Sequence, residues 1–369
     1  MKTIRRFIHR EIITTVGFVT LGFLALFFFF DLVDELRWVG NNPTSPYQLP
    51  HALLFVGLSL PSHLYELLPI TVLIGTIFVM ARLAQSSEFT IMRTSGLGPW
   101  RALYTLLALG SAFVLLTFTV GDYLAPLSDR AAQLVKARYQ GRLTTGATGA
   151  WLKERQGEHS FAVNVRAIGP DGGMLGVRIF EFDHQGRLAS RTQANSAQFG
   201  KDGTWQLEQV QSRSFHLEKP SAPAHVDQIS LPQWSWPTQI SADMVAAAVL
   251  RPDRMATIDL FQYISHLEAN GQAAQRYEIE FWRKVFYPLS CLVMVVLALP
   301  FAYLHFRAGG ITGYMFGGVM AGISFFLLNN VFGFVGTLQN WSPWITAAAP
   351  GLIYSVLSLT AFGWLVLRR

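Results

Sequence analysis

The chain has 369 residues, of which 51% are hydrophobic and only 14% are charged. Soluble domains carry roughly 25% charged residues, so this composition indicates a membrane protein. The net charge of +6 does not predict a nucleic-acid partner, because the basic residues stand beside apolar runs, where membrane topology explains them. Cys291 is the only cysteine, and the histidines are scattered, so neither a disulfide within the chain nor a metal site is expected.

The first thirty residues resemble a secretory signal, with basic residues followed by an apolar stretch. The apolar stretch is longer than a signal requires, and acidic residues follow it instead of a cleavage site. We therefore predict an uncleaved first membrane span.

Six apolar segments are long enough to cross a bilayer, which takes about 20 residues of helix. They are predicted at Ile12–Val33, Leu64–Leu83, Ala102–Leu124, Val285–Tyr303, Thr312–Val335 and Pro343–Leu367. The predicted fold is an α-helical membrane protein with six transmembrane helices, arranged 3+3 around an inserted all-β domain. The predicted domains are 1–134 with a cytoplasmic loop at about 82–100, a β domain at 135–255, a connecting helix at 256–275 and the last three helices at 276–369.

The lysines and arginines of the short loops predict the orientation, because cytoplasmic loops are enriched in them. The outer short loops carry only Arg37 if the N-terminus is cytoplasmic. The inner segments then carry Lys2, Arg5, Arg6, Arg10, Arg82, Arg93, Arg101, Arg307, Arg368 and Arg369. We expect both termini in the cytoplasm and the β domain on the far side of the membrane.

Alternating apolar residues predict short strands in the middle domain, and Gly-, Asp- and Pro-rich turns separate them. This pattern is typical of a β-sandwich or jellyroll. A second strand around Ile179 and Phe180 is expected to contain a bulge. Thr257 or Asp259 is predicted to cap the connecting helix, which continues to Ala269. The inward set of the β domain either fills a core or lines an acyl-chain slot: Phe161, Val163, Val165, Ile179, Phe182, Trp205 and Leu207.

Motifs of catalysis are lacking in the sequence. It contains no GxSxG, no cluster of histidine with acid and no paired carboxylates in a recognisable frame. The phosphate-binding motif GxxxxGK[ST] is also missing. We therefore predict no enzyme activity and no cofactor on this chain, and any ATP hydrolysis would reside in a separate subunit.

The cytoplasmic loop between the second and third spans predicts a short helix. Ser86 or Ser87 is expected to cap it, and Glu88 would lie in its positive first turn. Phe89 and Met92 would share one apolar face. Gly96 and Gly98 are placed to end the helix. Such an element suits docking of another protein; the alternative is an interfacial helix that only joins two spans.

Two motifs carry a resemblance to a known family. The stretch Leu83-Ala84-Gln85-x-Ser87-Glu88-x-x-x-Met92-x-x-Ser95-Gly96 resembles the coupling-helix loop of the lipopolysaccharide export permeases, the LptF/LptG family. Gly271-Gln272-x-Ala274-x-Arg276-Tyr277, continuing to Trp282-x-Lys284-x-Phe286-x-Pro288-Leu289-Ser290, is similar to the return into that family's fourth span. Val33-Asp34-x-Leu36 and Arg37 look more like the LptG branch.

The resemblance implies a permease subunit of an ABC exporter in the inner membrane. It would extract lipopolysaccharide from the outer leaflet and pass it to a periplasmic bridge, driven by ATP bound with Mg²⁺ in a partner subunit. The implied partners are an LptF-like permease, a dimer of LptB-like ATPase, and LptC-like and LptA-like periplasmic proteins. Alternatives are an LptF-like paralogue, or a sensor or scaffold whose β ectodomain binds a ligand.

The same resemblance assigns candidate residues. Glu88, Phe89, Met92 and Arg93 would dock the ATPase. Arg37 would contact substrate phosphate, since guanidinium groups form forked hydrogen bonds with phosphate oxygens. The other predicted lipopolysaccharide contacts are Phe27, Phe30 and Arg276.

Overall fold

The computed structural model describes residues 2–40, 47–140, 143–144, 149–169, 173–200, 204–216, 225–242, 244–245, 252–303 and 311–364. The chain divides into two compact units. We call them the helical unit, which comprises Met1–Val33, Ser59–Ser128 and Glu278–Arg369, and the β unit, which comprises Asp34–Leu58 and Asp129–Tyr277.

Helices lie on both sides of the strands in the sequence. Before the strands they are α1 (Lys2–Leu36), α2 (Leu49–Gln85), α3 (Glu88–Thr94), α4 (Pro99–Thr119), a π-helix (Val120–Leu124) and α5 (Ala125–Gln140). After the strands they are α6 (Thr257–Ala269), α7 (Gln275–Phe286), α8 (Ser290–Ala298), α9 (Ile311–Leu338) and α10 (Pro343–Phe362). Short 3₁₀ turns span Pro252–Arg254, Tyr287–Leu289 and Leu299–Tyr303.

Among the residues that the structure describes, six helical stretches are long and apolar enough to cross a membrane, as predicted. They are Lys2–Leu36, Leu49–Gln85, Pro99–Lys136, Gln275–Tyr303, Phe316–Leu338 and Pro343–Phe362. The first four extend beyond the predicted apolar segments, and in α2 the added residues 49–63 are themselves mostly apolar. The predicted end of the last span at Leu367 and the basic residues Arg307, Arg368 and Arg369 lie outside the described residues.

Close backbone approach joins α1 to α2 within the helical unit. A Cβ atom added at Gly75 would lie 2.6 Å from Val16 Cγ2 and 3.0 Å from the Val16 backbone nitrogen. Nearby, the Thr20 hydroxyl donates a 2.9 Å hydrogen bond to Thr71 Oγ1. Small residues permit such contacts between membrane helices, where lipid offers no hydrophobic drive to associate.

The β unit contains an antiparallel sheet of consecutive strands. The strands are β1 (Leu143–Thr144), β2 (Ala150–Gln156), β3 (His159–Ile168), β4 (Met174–Phe182), β5 (Leu188–Phe199), β6 (Trp205–His216) and β7 (His225–Trp236). Their order is β1-β3-β4-β5-β6-β7, and β2 also pairs with β3. The all-β character is confirmed. The described strands form a meander, and the jellyroll remains a prediction.

Local sequence signals explain the strands and one of the turns. Val163, Val165, Val177 and Ile179 are buried at every second position of β3 and β4, as period-2 patterning requires. The register shifts between Glu181 and Phe182, slightly beyond the predicted bulge. In the following turn Asp183 Oδ1 accepts hydrogen bonds from the backbone nitrogens of Gln185 and Arg187, both at 2.9 Å. These bonds, that from Arg187 above all, lower the pKa of Asp183.

The start of α6 corrects one prediction. Ala256 is the N-cap residue, so neither Thr257 nor Asp259 occupies that position. Asp259 lies at N3, and its carboxylate accepts a 3.4 Å hydrogen bond from the Ala256 backbone nitrogen. An acid at N3 thus stabilises the first turn without being the cap.

We expect Gly75→Ala to destabilise the helical unit. The added methyl group would press against Val16 backbone atoms, which cannot move as a side chain can, and overpacking costs typically about 1–3 kcal/mol. Gly17→Ala on α1 is the matched control, because nothing lies within 4 Å of its Cβ position. Thermal unfolding in detergent would measure both variants. An equal midpoint for the two would contradict the proposed α1–α2 contact.

Candidate functional site

The predicted docking helix exists as α3, but its N-terminus is not capped as expected. Ser87 is the N-cap, with φ +60° and no capping bond from its side chain. The Ser86 hydroxyl donates to the Leu83 carbonyl at 3.4 Å, so neither serine side chain caps the helix. At the other end Gly96 has φ +101°, a conformation that favours glycine after a helix. Gly98 instead precedes α4 as its N-cap.

One side of α3 is packed against its own chain. Phe89 is only 3% exposed, and its ring meets the Tyr303 ring edge-on at 5.1 Å. Met92 is partly buried against the same core, and the Arg93 guanidinium carbon lies 5.6 Å from the Tyr303 ring centre. The prediction that Phe89 offers apolar surface to an ATPase therefore does not fit the structure. Its burial anchors α3 to the helical unit.

Glu88, Ile91 and Arg93 of α3 are exposed. Glu88 and Ile91 lie on the outer side, whereas Arg93 lies on the side of Phe89, above the Tyr303 ring. Ile91 is 63% exposed and is the apolar residue that a partner could cover. Sequence reasoning missed it, because Phe89 and Met92 at i and i+3 indicate an apolar face without saying what covers that face. The sequence signal that could have identified Ile91 is an isoleucine placed between an acid, Glu88, and a base, Arg93.

The aromatic residues of α1 in the helical unit have different surroundings. Phe30 is 56% exposed. Phe27 is partly buried, with its ring centre 4.9 Å from that of His63 on α2. His63 Nε2 lies 2.6 Å from Asp31 Oδ2, so the pair joins α1 to α2 beneath Phe27. Phe30 therefore presents apolar surface outward, whereas Phe27 packs on a polar pair.

The two predicted arginines are both exposed and both belong to the β unit. The Arg37 guanidinium lies 3.5 Å from the Asp34 carboxylate. Exposed ion pairs contribute only about 0–1 kcal/mol, so this contact can be exchanged for a phosphate at small cost. Arg276 is exposed near the start of α7.

A buried acid close to Arg37 was not singled out from the sequence. Glu35 is 6% exposed and accepts hydrogen bonds from the Tyr47 hydroxyl at 2.8 Å and from Lys136 Nζ at 3.0 Å. Burial, and then the bond to Glu35, raise the pKa of Tyr47. These bonds hold the C-terminal end of α1 to α5 and to Tyr47, and so they fix the backbone two residues before Arg37.

Lys284 has a structural partner inside the helical unit. It is 7% exposed, and its Nζ donates a 2.8 Å hydrogen bond to the Gly121 carbonyl. Gly121 lies in the π-helix, where the wider turn displaces backbone carbonyls from their regular partners. A Cβ atom at Gly121 would come within 2.3 Å of the Tyr65 ring. This geometry indicates a structural role for Lys284.

Arg283 and Tyr287 extend this polar region. Arg283 contacts the Glu280 carboxylate at 2.9 Å and donates to the Asn329 carbonyl at 2.8 Å. The Tyr287 hydroxyl donates to the Glu66 carbonyl at 2.5 Å. Together these bonds connect α2, α7 and α9, and the spacing Glu280-x-x-Arg283 was the one sequence signal for them.

The predicted lining of the β domain is mostly core. Val163, Val165, Ile179 and Trp205 are buried, and Trp205 Nε1 donates to the Ile240 carbonyl at 2.7 Å. Such packed side chains fill a core instead of lining a slot. Two members of the set are only partly buried and keep surface for a ligand, namely Phe161 and Phe182.

We expect Lys284→Met to destabilise the helical unit because it leaves the Gly121 carbonyl without this donor. An unsatisfied buried polar group costs about 1–3 kcal/mol. Arg276→Gln serves as the exposed control on the same helix. Thermal unfolding of both variants in detergent is the measurement, and a Lys284→Met midpoint equal to that of the control would rule out the structural role.

Comparison with known proteins agrees with this architecture. The family model described as "Lipopolysaccharide export system permease LptF/LptG" matches residues 6–367. The chain is 27% identical to the lipopolysaccharide export system permease protein LptG of Haemophilus influenzae, over 100% of this chain and 99% of the relative. It is also 27% identical to the LptG protein of Escherichia coli K12, over 99% and 98% of the two chains. With six helices able to span a membrane around an antiparallel sheet, this chain belongs to the LptF/LptG family of lipopolysaccharide export permeases.

Proposed function

We propose that this chain is the permease subunit of an ABC exporter that extracts lipopolysaccharide from the outer leaflet of the inner membrane. ATP hydrolysis in a partner subunit drives the step, and a periplasmic bridge receives the substrate. The observation that carries the proposal is the match of the permease family along residues 6–367. The geometry of α3 supports it, since this helix combines an outward polar surface with an inward anchor.

The coupling step requires a docking helix that moves together with the membrane helices. Phe89 supplies this property, because its buried ring fixes α3 to Tyr303 at the end of the fourth candidate span. Burying such a side chain stabilises the contact by about 1.5–3 kcal/mol. Glu88, Ile91 and Arg93 then form the surface on which an LptB-like ATPase dimer docks.

The substrate carries acyl chains and anionic phosphates, so it needs apolar surface and cationic groups. The helical unit offers exposed Phe30, and the β unit offers exposed Arg37 and Arg276. Arginine suits phosphate because its planar fork donates two parallel hydrogen bonds. Arg37 is the group we assign to the substrate phosphate.

The remaining parts of the proposal concern topology and partners. The helices are arranged 3+3 with both termini in the cytoplasm, and the β unit is a periplasmic jellyroll. An LptF-like permease completes the membrane cavity, and LptC-like and LptA-like proteins continue the bridge. The excess of basic residues on the predicted inner side supports this orientation. ATP and Mg²⁺ are bound by the partner ATPase.

We expect Ile91→Asp to abolish co-purification with the ATPase, because it places a charge at the centre of the docking surface. Ile229→Asp on β7 is the matched control, since Ile229 is similarly exposed. Phe89→Asp is not a clean test, because it would disrupt the core. Recovery of the ATPase with Ile91→Asp at the level of the control would exclude α3 as the dock. A chain that performs its cellular task without an ATPase would favour the sensor or scaffold alternative.

We expect Arg37→Glu to lower lipopolysaccharide loading about tenfold, the effect of losing about 1.4 kcal/mol, while ATPase co-purification stays normal. Arg37→Lys should give an intermediate loss, because lysine keeps the charge but lacks the fork. Photocrosslinking of lipopolysaccharide to the membrane-embedded complex would measure loading. Unchanged crosslinking in Arg37→Glu would remove Arg37 from the substrate site.

A further inference from the structure

The sheet of the β unit carries a polar cavity on the face that does not hold the apolar core. Val165 and Val177 are buried, and the neighbouring side chains of Arg166 and Arg178 therefore point to the opposite face. The cavity has a volume of about 260 Å³. It is lined by Arg166, Ala167, Leu175, Gly176, Arg178, Gln193, Ala194 and Asn195.

Gly176 forms part of the wall of this cavity. The pairs Val165–Val177 and Ala167–Leu175 flank Arg166 and Gly176 on adjacent strands. Gly176 has φ +65°, which disfavours any residue with a Cβ atom. A Cβ atom there would lie 3.1 Å from Arg166 Cβ and 3.3 Å from Arg166 Nε. The Arg166 side chain thus lies along the gap that glycine leaves.

Amide and guanidinium groups surround the gap. Arg178 is paired opposite Asn164 on one side and Gln193 on the other. Asn195 lies two residues beyond Gln193 and therefore on the same face. Its side-chain amide donates to Gln209 on the next strand, which fixes its position. The walls therefore present two guanidinium groups and two side-chain amides.

Neither Arg166 nor Arg178 forms an ion pair with any residue that the structure describes. In contrast, Arg187 in the turn before β5 pairs with Asp183 at 3.0 Å. Two guanidinium groups lining one cavity repel each other unless an anion joins them. A phosphate oxyanion fits, because each fork can donate two hydrogen bonds to it.

We propose that this cavity binds a phosphate group on the saccharide headgroup of an anionic glycolipid. The inference rests on the proposed function and deepens it. The volume falls just below the 300–1,000 Å³ typical of drug-sized ligands, which suits one phosphorylated sugar. The amides of Gln193 and Asn195 can hydrogen-bond to sugar hydroxyls. A half-open recess of this size favours a small headgroup over an acidic protein segment, which would need a broader surface.

The test is calorimetric titration of the full chain in nanodiscs of zwitterionic lipid. The probes are a soluble phosphorylated glucosamine disaccharide, its dephosphorylated form, inorganic phosphate and an oligoglutamate peptide. We expect the phosphorylated disaccharide to bind most tightly. The double variant Arg166→Gln, Arg178→Gln should raise its Kd at least tenfold, whereas Arg213→Gln, on the same sheet and outside the cavity, should leave the Kd unchanged. The Kd of the double variant Arg166→Lys, Arg178→Lys should lie between that of the native chain and that of the double glutamine variant.

The inference would be overturned if the dephosphorylated disaccharide or inorganic phosphate bound as tightly as the phosphorylated disaccharide. Tighter binding of the oligoglutamate peptide would also overturn it, as would an Arg213→Gln variant that loses as much affinity as the double variant. The probe comparison on the native chain decides the matter even if the double variant is unstable. Absent probe binding in a complex that still releases lipopolysaccharide would refute the cavity alone. Probe binding by a chain that recruits no ATPase would refute the proposed function alone.

Discussion

Lipid offers no hydrogen-bond partners, and this constraint governs how the helical unit is built. Each polar group inside the spans must find its partner within the protein. Lys284 satisfies this requirement by donating a hydrogen bond to the Gly121 carbonyl. Arg283 satisfies it by donating to the Asn329 carbonyl. Arg283 thus links α7 to α9, and Lys284 links α7 to the π-helix. The interruption of regular helix at Val120–Leu124 is what makes one of these carbonyls accessible.

The short helix α3 likewise has a side that packs on the protein and a side that is exposed. A seven-residue helix is too short to be stable alone, so its conformation depends on tertiary packing. Phe89 provides that packing on one side. The exposed side chains of α3 include an acid, a base and one isoleucine. Such groups contribute little binding energy by themselves and need a complementary partner surface. On the proposed function, apolar burial transmits force to the spans, and the exposed residues choose the ATPase.

The two faces of the sheet in the β unit carry different kinds of side chains. Its apolar face is filled by packed side chains, with Trp205 tied to the Ile240 carbonyl. Its other face carries charges and amides around the gap at Gly176. A sheet with one dry and one wet face is typical of antiparallel architecture. The predicted acyl-chain lining belongs mostly to the apolar core, and Phe161 and Phe182 are its partly buried members.

The sequence by itself determined the features that short-range signals encode. Apolar run lengths located six candidate membrane helices, alternation located the strands around Val163 and Ile179, and turn residues located the Asp183 turn. The short helix α3 was also recognisable, because its motif is contiguous. These features depend on residues within one helix turn or one hairpin of each other.

Only the tertiary structure decided which groups face each other. It placed Phe89 on Tyr303, gave Lys284 the Gly121 carbonyl, and brought Arg166 and Arg178 around Gly176. The first two contacts join residues more than a hundred positions apart, and the third depends on strand register, which a slip of one residue would reverse. Periodicity states which residues share a face, but not what covers that face, because the covering atoms come from distant segments of the chain.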